Sequence, residues 1–151
     1  MEAVPITMLG SKILVIGFGR IGKILSHRLR SLGADVTVSA RKYADMSWIQ
    51  VYGYHPVRTD SLLGNLRSYD MIFNTVPAKV LAREHLEGVA PSCLLMDLAS
   101  KPGGMDFSAA SQLGLKAIWA LSLPGEVAPL TSGAFIRDTI YNILQERESS
   151  L

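Results

Sequence analysis

Along this chain, short apolar runs alternate with stretches in which apolar residues recur every three or four positions. Lys12 to Ile16 is a compact, β-branched run ending at Gly17, the pattern of a strand buried on both faces. Ile21, Leu25, Leu29 and Leu32 then follow at helical spacing, and Gly33 supplies the stop. Val36 to Val38 predicts a second strand, Ala44 to Tyr52 a helix closed by Gly53, and Tyr54 to Val57 a short third strand. Asp60 is placed to cap a helix carrying Leu62, Leu63 and Leu66. Met71 to Phe73 predicts a fourth strand and Cys93 to Met96 a fifth. Gly103 to Leu113 holds a turn and a short helix, and Lys116 to Ala120 a sixth strand. Thr131 is placed to cap a last helix on which Ile136, Ile140, Ile143 and Leu144 share a face.

Strands alternating with helices imply βαβ units and therefore a parallel sheet. The predicted fold class is α/β, a Rossmann-type doubly wound arrangement with a mainly parallel six-stranded sheet and helices on both faces. In such sheets ligands lie outside the carboxyl ends of the strands. The expected organisation is a stub over residues 1–11, a nucleotide-binding domain over 12–145 and a polar tail over 146–151. Neither an internal repeat nor a low-complexity segment interrupts the pattern.

Bulk properties narrow the function classes. The chain has 151 residues, of which 48% are hydrophobic, enough for one domain with a sizeable core. A formal charge of only +2 argues against a broad basic face for nucleic acid. The apolar runs are all shorter than the ~18 residues a membrane helix needs, and Glu2 stands where a signal peptide carries positive charge. The expectation is a soluble cytoplasmic protein with no nucleic-acid or membrane partner. Cys93 is the only cysteine, which leaves no internal disulfide and no multi-cysteine metal site, and its apolar surroundings predict a buried thiol. His27, His55 and His85 make no metal-ligand pattern, so no metal is expected, and Trp48 and Trp119 are expected to pack.

The sharpest chemical signal is Gly17-Phe18-Gly19-Arg20-Ile21-Gly22. In a dinucleotide fingerprint the first glycine makes a tight turn and the second admits the pyrophosphate to the backbone. The third lets helix and strand pack closely. The helix that begins there aims free N–H groups and a partial positive charge at the phosphates. The pattern is weak alone, but here it leaves a strand, opens a helix and precedes a second strand. A purely structural turn is the alternative.

NAD-selective domains carry an acid about 20 residues beyond these glycines. This chain instead has Ser39-Ala40-Arg41-Lys42 there, and Arg41 offers a planar fork suited to a 2′-phosphate, with Ser39 adding a hydroxyl. The expected cofactor is NADP, or NAD. A solvated basic pair at a strand end is the alternative. Three further strand ends finish in small or turn-forming residues: Asn74-Thr75-Val76-Pro77, Asp97 to Gly104, and Leu121 to Gly125. Asn74, Thr75, Val76, Pro77, Ala99 and Ser100 complete the expected cofactor-binding set. Lys101 is the candidate contact for a substrate carboxylate, with Arg20 as a second cation near the strand ends; a catalytic residue cannot be assigned.

Taken together, these stretches resemble the C-terminal half of the A subunit of the dipicolinate synthase family of spore-forming bacteria. The resemblance runs from Gly10 to about Leu144. Its most specific pieces are Asp97-Leu98-Ala99-Ser100-Lys101-Pro102-Gly103-Gly104 and Leu123-Pro124-Gly125-Glu126-Val127-Ala128-Pro129, followed by Thr131-Ser132-Gly133. It implies oxidation of a dihydrodipicolinate-type precursor to pyridine-2,6-dicarboxylate, with NAD(P) accepting hydride. It also implies, as partner, a flavoprotein-like B subunit of dipicolinate synthase, and the cytoplasm of a sporulating mother cell as location. Family members are roughly twice as long, with an N-terminal domain before the nucleotide-binding one. The 151-residue chain is therefore expected to bind cofactor without turning substrate over by itself. The cofactor half of a 2-hydroxyacid or shikimate-type dehydrogenase is the rival enzyme reading. A regulatory nucleotide-binding module is the non-enzyme one, and a homo-oligomer stays open.

Overall fold

In a computed structural model of the chain, the structure describes residues 8–120. All belong to the first of two units, Met1–Ala120 and Leu121–Leu151. The sequence-predicted turn at Leu121 to Gly125, the Thr131 helix and the polar tail lie outside the described residues.

The sheet is built from strands β1 (Lys12–Ile16), β2 (Asp35–Ala40), β3 (His55–Arg58), β4 (Met71–Asn74), β5 (Leu94–Asp97) and β6 (Lys116–Trp119). Helices α1 (Arg20–Ser31), α2 (Tyr43–Val51), α3 (Arg83–Leu86) and α4 (Phe107–Gln112) connect or flank them. The strand order is β3-β2-β1-β4-β5-β6, and every neighbouring pair is parallel. This is the doubly wound order expected from the alternation of elements. The chain reverses direction across the sheet between β1 and β4, which opens a crevice at their carboxyl ends.

Alternation along β1 shows why its sequence is a continuous apolar run. Ile13 and Val15 face a layer that includes Leu29 of α1 and Ile49 of α2. Leu14 and Ile16 face the opposite layer, with Leu86 of α3 and Ala109 and Ala110 of α4. A strand covered on both faces cannot alternate apolar with polar positions.

Three expectations need correction. The predicted helix over Leu62 to Leu66 is a single 3-10 turn, Thr59–Ser61, followed by an irregular loop. Asp60 is held by Arg58 and caps nothing, and Gly64 at φ 80° takes the chain out of helical geometry. Leu62 and Leu66 are nonetheless buried, so their apolar signal was a core signal without a helix. On α1, Ile21 and Leu32 are exposed, and the buried face is Gly22, Ser26 and Leu29. Trp48 is likewise more than half exposed, lying 6.0 Å from the Tyr52 ring.

Candidate functional site: the crevice at the glycine turn

A cleft of about 460 Å³ lies at the carboxyl ends of the central strands. Its floor is the turn from β1 into α1, contributed by Gly17, Phe18, Gly19, Arg20 and Ile21. One wall is Ala40, Arg41, Lys42, Asp45 and Thr59, and the other is Thr75, Val76, Pro77, Ala78 and Val80.

The three glycines of the turn occupy different surroundings. Gly17 has φ 102°, and a Cβ there would lie 2.6 Å from Thr75 Oγ1 and 2.8 Å from Val76 Cγ2. The backbone N–H of Gly17 donates to the Ser39 carbonyl (3.1 Å), which ties the turn to the end of β2. A Cβ on Gly22 would meet the Gly17 carbonyl oxygen at 2.1 Å. Around Gly19, by contrast, a Cβ would find nothing within 4 Å, and its φ of −79° suits any residue. Two glycines are thus demanded by the fold, and the third borders open space on the cleft. No side chain caps α1 and its first turn holds no acid. The N–H groups that any helix leaves unpaired at its start face no protein acceptor of that kind.

The sequence-predicted residues divide. The cleft brings together Gly17, Phe18, Gly19, Arg20, Ile21, Ala40, Arg41, Lys42, Thr75, Val76 and Pro77. Gly22 sits behind the turn as a packing residue. Ser39 is fully buried; its hydroxyl accepts from Thr59 Oγ1 at 3.2 Å, so it supports the wall and does not line it. Asn74 is also fully buried. Its amide donates to Val76 O (2.9 Å) and Asp97 Oδ1 (2.8 Å) and accepts from Val76 N (3.0 Å). It therefore shapes the loop that carries Thr75 to Pro77. Thr75 Oγ1 donates to the Ile16 carbonyl at 2.8 Å.

Ala99 is buried, with its carbonyl accepting from Trp119 Nε1 at 3.2 Å. Ser100 and Lys101 are exposed on the adjoining loop, and neither they nor Ala99 line the cleft. The organiser of that loop is Asp97, fully buried at the end of β5. Its carboxylate accepts from Asn74 Nδ2 (2.8 Å), Ala99 N (3.0 Å) and Gly104 N (2.7 Å). A Cβ on Gly104 would lie 2.3 Å from Asn74 Nδ2, so the motif around it is a packed joint between β4 and β5.

Sequence reasoning missed Asp45, Thr59, Ala78 and Val80 as lining residues, and Arg58 beside them. The available signal for Arg58 was a basic residue closing the third strand. Among the described residues no group of three His, Cys, Asp or Glu side chains is arranged to hold a metal ion. In the same part of the chain no helix is long and apolar enough to cross a membrane.

This is the architecture of a dinucleotide-binding domain, and residues 2–99 match the profile "D-isomer specific 2-hydroxyacid dehydrogenase, NAD binding domain". The chain belongs to that family of NAD-binding domains. Its particular likeness is to the A subunit of dipicolinate synthase. It is 39% identical to that protein from Bacillus subtilis over 93% of this chain and 47% of the relative. The crystal structure of the Bacillus subtilis protein superposes with a TM-score of 0.91 at 37% identity, covering 97% of this chain and 49% of that one. That of its Bacillus halodurans counterpart gives 0.89 at 36% identity, covering 93% and 48%. The chain thus spans about half the length of the relatives it matches. The family match is to the dehydrogenase class named above as the rival enzyme reading, and the similar full-length proteins are dipicolinate synthase A subunits.

Proposed function

We propose that this chain is the dinucleotide-binding domain of a dipicolinate synthase-type oxidoreductase and holds NADP, or NAD, in the crevice at Gly17 to Gly22. The observation that carries the reading is the open space at Gly19, a glycine that neither backbone strain nor packing requires. A pyrophosphate there would lie against the N–H groups of Gly19, Arg20 and Ile21 at the uncapped start of α1. Arg41, exposed on the opposite wall, would meet the adenosine ribose or its 2′-phosphate.

The likeness to dipicolinate synthase supports a reaction as well. Bound there, the nicotinamide would supply the hydride acceptor for a dihydrodipicolinate-type dianion, whose proton would pass to a base or water as the ring became aromatic. The protein's part is to align two flat rings and to exclude water. Lys101 is the proposed contact for a substrate carboxylate. The proposed partner is the B subunit, in the cytoplasm of a sporulating cell.

The test is calorimetric titration of NADP into the parent and Gly19→Val. The variant is expected to keep its thermal midpoint and lose binding; equal affinity in two folded proteins would refute the site. For the reaction, this chain is expected to bind cofactor but to form no reduced nicotinamide from dihydrodipicolinate unless the rest of the enzyme is supplied. Turnover on the order of 1 per second from this chain alone would contradict that.

A further inference from the structure

At the carboxyl ends of β2 and β3 stands a cation outside the motifs that the sequence displays. Arg58 closes β3 and pairs in register with Ala40, the last residue of β2. Ala40 lines the cleft together with Arg41 and Thr59, the chain neighbours of these two strand ends.

The Arg58 guanidinium is fixed by three residues. Its Nε donates to Asp60 Oδ1 at 2.9 Å and its Nη2 to Asp60 Oδ2. The ring of Tyr43, at the start of α2, lies 4.8 Å from the guanidinium carbon. Nη1 donates to the Arg41 carbonyl at 3.4 Å, across the strand ends. A guanidinium carries five N–H donors. Asp60 and the Arg41 carbonyl engage Nε, Nη1 and Nη2, and the Tyr43 hydroxyl bonds the same guanidinium, which leaves one of the five donors over for a ligand.

The surrounding charges sharpen the point. Arg41, Lys42 and Arg58 are cations, and Asp45 and Asp60 are the acids facing them. Asp60 is paired with Arg58, so the guanidinium is held beside the strand ends. An exposed ion pair of this kind adds little to stability. Its effect is to hold a planar fork in place before any ligand arrives, which lowers the ordering cost of binding.

Resting on the dinucleotide reading, we propose that Arg58 is the second arm, beside Arg41, of a clamp for the phosphate monoester on the adenosine 2′-hydroxyl. The clamp makes the site select the phosphorylated dinucleotide. Asp60 and Tyr43 act as positioning residues that aim the Arg58 fork, while Arg41 swings in from the end of β2.

The experiment separates the 2′-phosphate from the rest of the cofactor. Adenosine 2′,5′-bisphosphate and AMP are titrated calorimetrically into the 151-residue chain, into Arg58→Gln and into Arg58→Lys. The parent is expected to prefer the bisphosphate by about tenfold or more, and Arg58→Gln to remove most of that preference. AMP affinity should stay within about twofold, and Arg58→Lys, which keeps the charge without the fork, should fall between. If Arg58 only braces β3, both ligands would weaken together, or neither would, and the preference would be unchanged; either result overturns the clamp. NAD and NADP titrated into the parent and Gly19→Val separate this from the underlying reading. Dinucleotide binding that depends on Gly19 but shows no Arg58-dependent preference overturns the clamp alone. No binding of any of the four ligands overturns both.

Discussion

A Cβ placed on Gly22 would lie 2.1 Å from the carbonyl oxygen of Gly17. Backbone meets backbone there, so no side-chain rotation relieves the clash, and α1 would have to move off the end of β1. Gly22→Ala is expected to destabilise the fold by about 2 kcal/mol or more, the scale of overpacking that displaces backbone. Gly19→Ala, in open space with ordinary φ, is expected to stay within about 0.5 kcal/mol of the parent. Urea unfolding of both variants checks this. Coincident midpoints for the two would mean that the helix is not seated on the turn as described.

Asp97 provides a second contrast. Its replacement by Ala would leave Asn74 Nδ2, Ala99 N and Gly104 N without their acceptor inside the protein. Each orphaned buried donor costs about 1–3 kcal/mol, so Asp97→Ala is expected to lose about 3 kcal/mol or more. Asp97→Asn retains one acceptor oxygen and should lose less. Since Asn74 holds Val76 in place, cofactor affinity should fall in both variants even where they remain folded. An Asp97→Ala protein with unchanged unfolding midpoint would show that the joint between β4 and β5 does not depend on this carboxylate.

The sheet was legible because its central strands β1 and β4 are buried apolar runs ended by glycine or a small polar residue, and because strands and helices alternate along most of the chain. The glycine turn was legible for a different reason: its three positions carry distinct steric demands, and the sequence context displays them. What escaped was any feature set by tertiary partners. Ser39 and Asn74, small and polar at strand ends, had the character of cofactor-lining residues; burial obliges each to bond within the protein, and they became supports. Leu62 and Leu66 had helical spacing, but Gly64 and the Arg58–Asp60 pair decided the backbone between them. In the Asp97 to Gly104 stretch, the most specific part of the resemblance among the described residues, Asp97 and Gly104 form a tightly packed joint while Ser100 and Lys101 are exposed. The specificity of a motif and its contact with ligand are separate properties.

Arg41 is expected to discriminate between cofactors in the way the missing strand-end acid suggests. Its side chain is exposed on the cleft wall. A charge-assisted hydrogen bond to a 2′-phosphate contributes about 1.5–3 kcal/mol, one to two decades of affinity. Arg41→Ala should therefore weaken NADP by that factor and NAD hardly at all, as read by calorimetry at fixed ionic strength. Equal weakening of the two would remove Arg41 as a reader of the 2′-phosphate, and a parent that favours NAD would reverse the assignment.

Cys93 gives the pH dependence. It is fully buried immediately before β5, and burial, with a smaller contribution from the Asp70 charge, pushes its thiol up to about 12 from an ordinary value of 9.0. Two consequences are expected. In the folded protein at mildly alkaline pH the thiolate is scarce and shielded, so a disulfide reagent should label Cys93 only as fast as the chain opens. Stability must also fall at high pH. The folded state binds this proton more tightly than the unfolded chain, so the neutral thiol's contribution is complete below about 9 and is lost as the pH climbs towards about 12. Tyr54, raised chiefly by its own burial, acts in the same direction, so the parent alone does not isolate the cysteine. Urea unfolding of the parent and of Cys93→Val across this range does: the gap between them should move in favour of the variant as the pH rises. A gap that stays constant, or rapid labelling of the native protein, would place the thiol in contact with solvent and contradict its position behind β5.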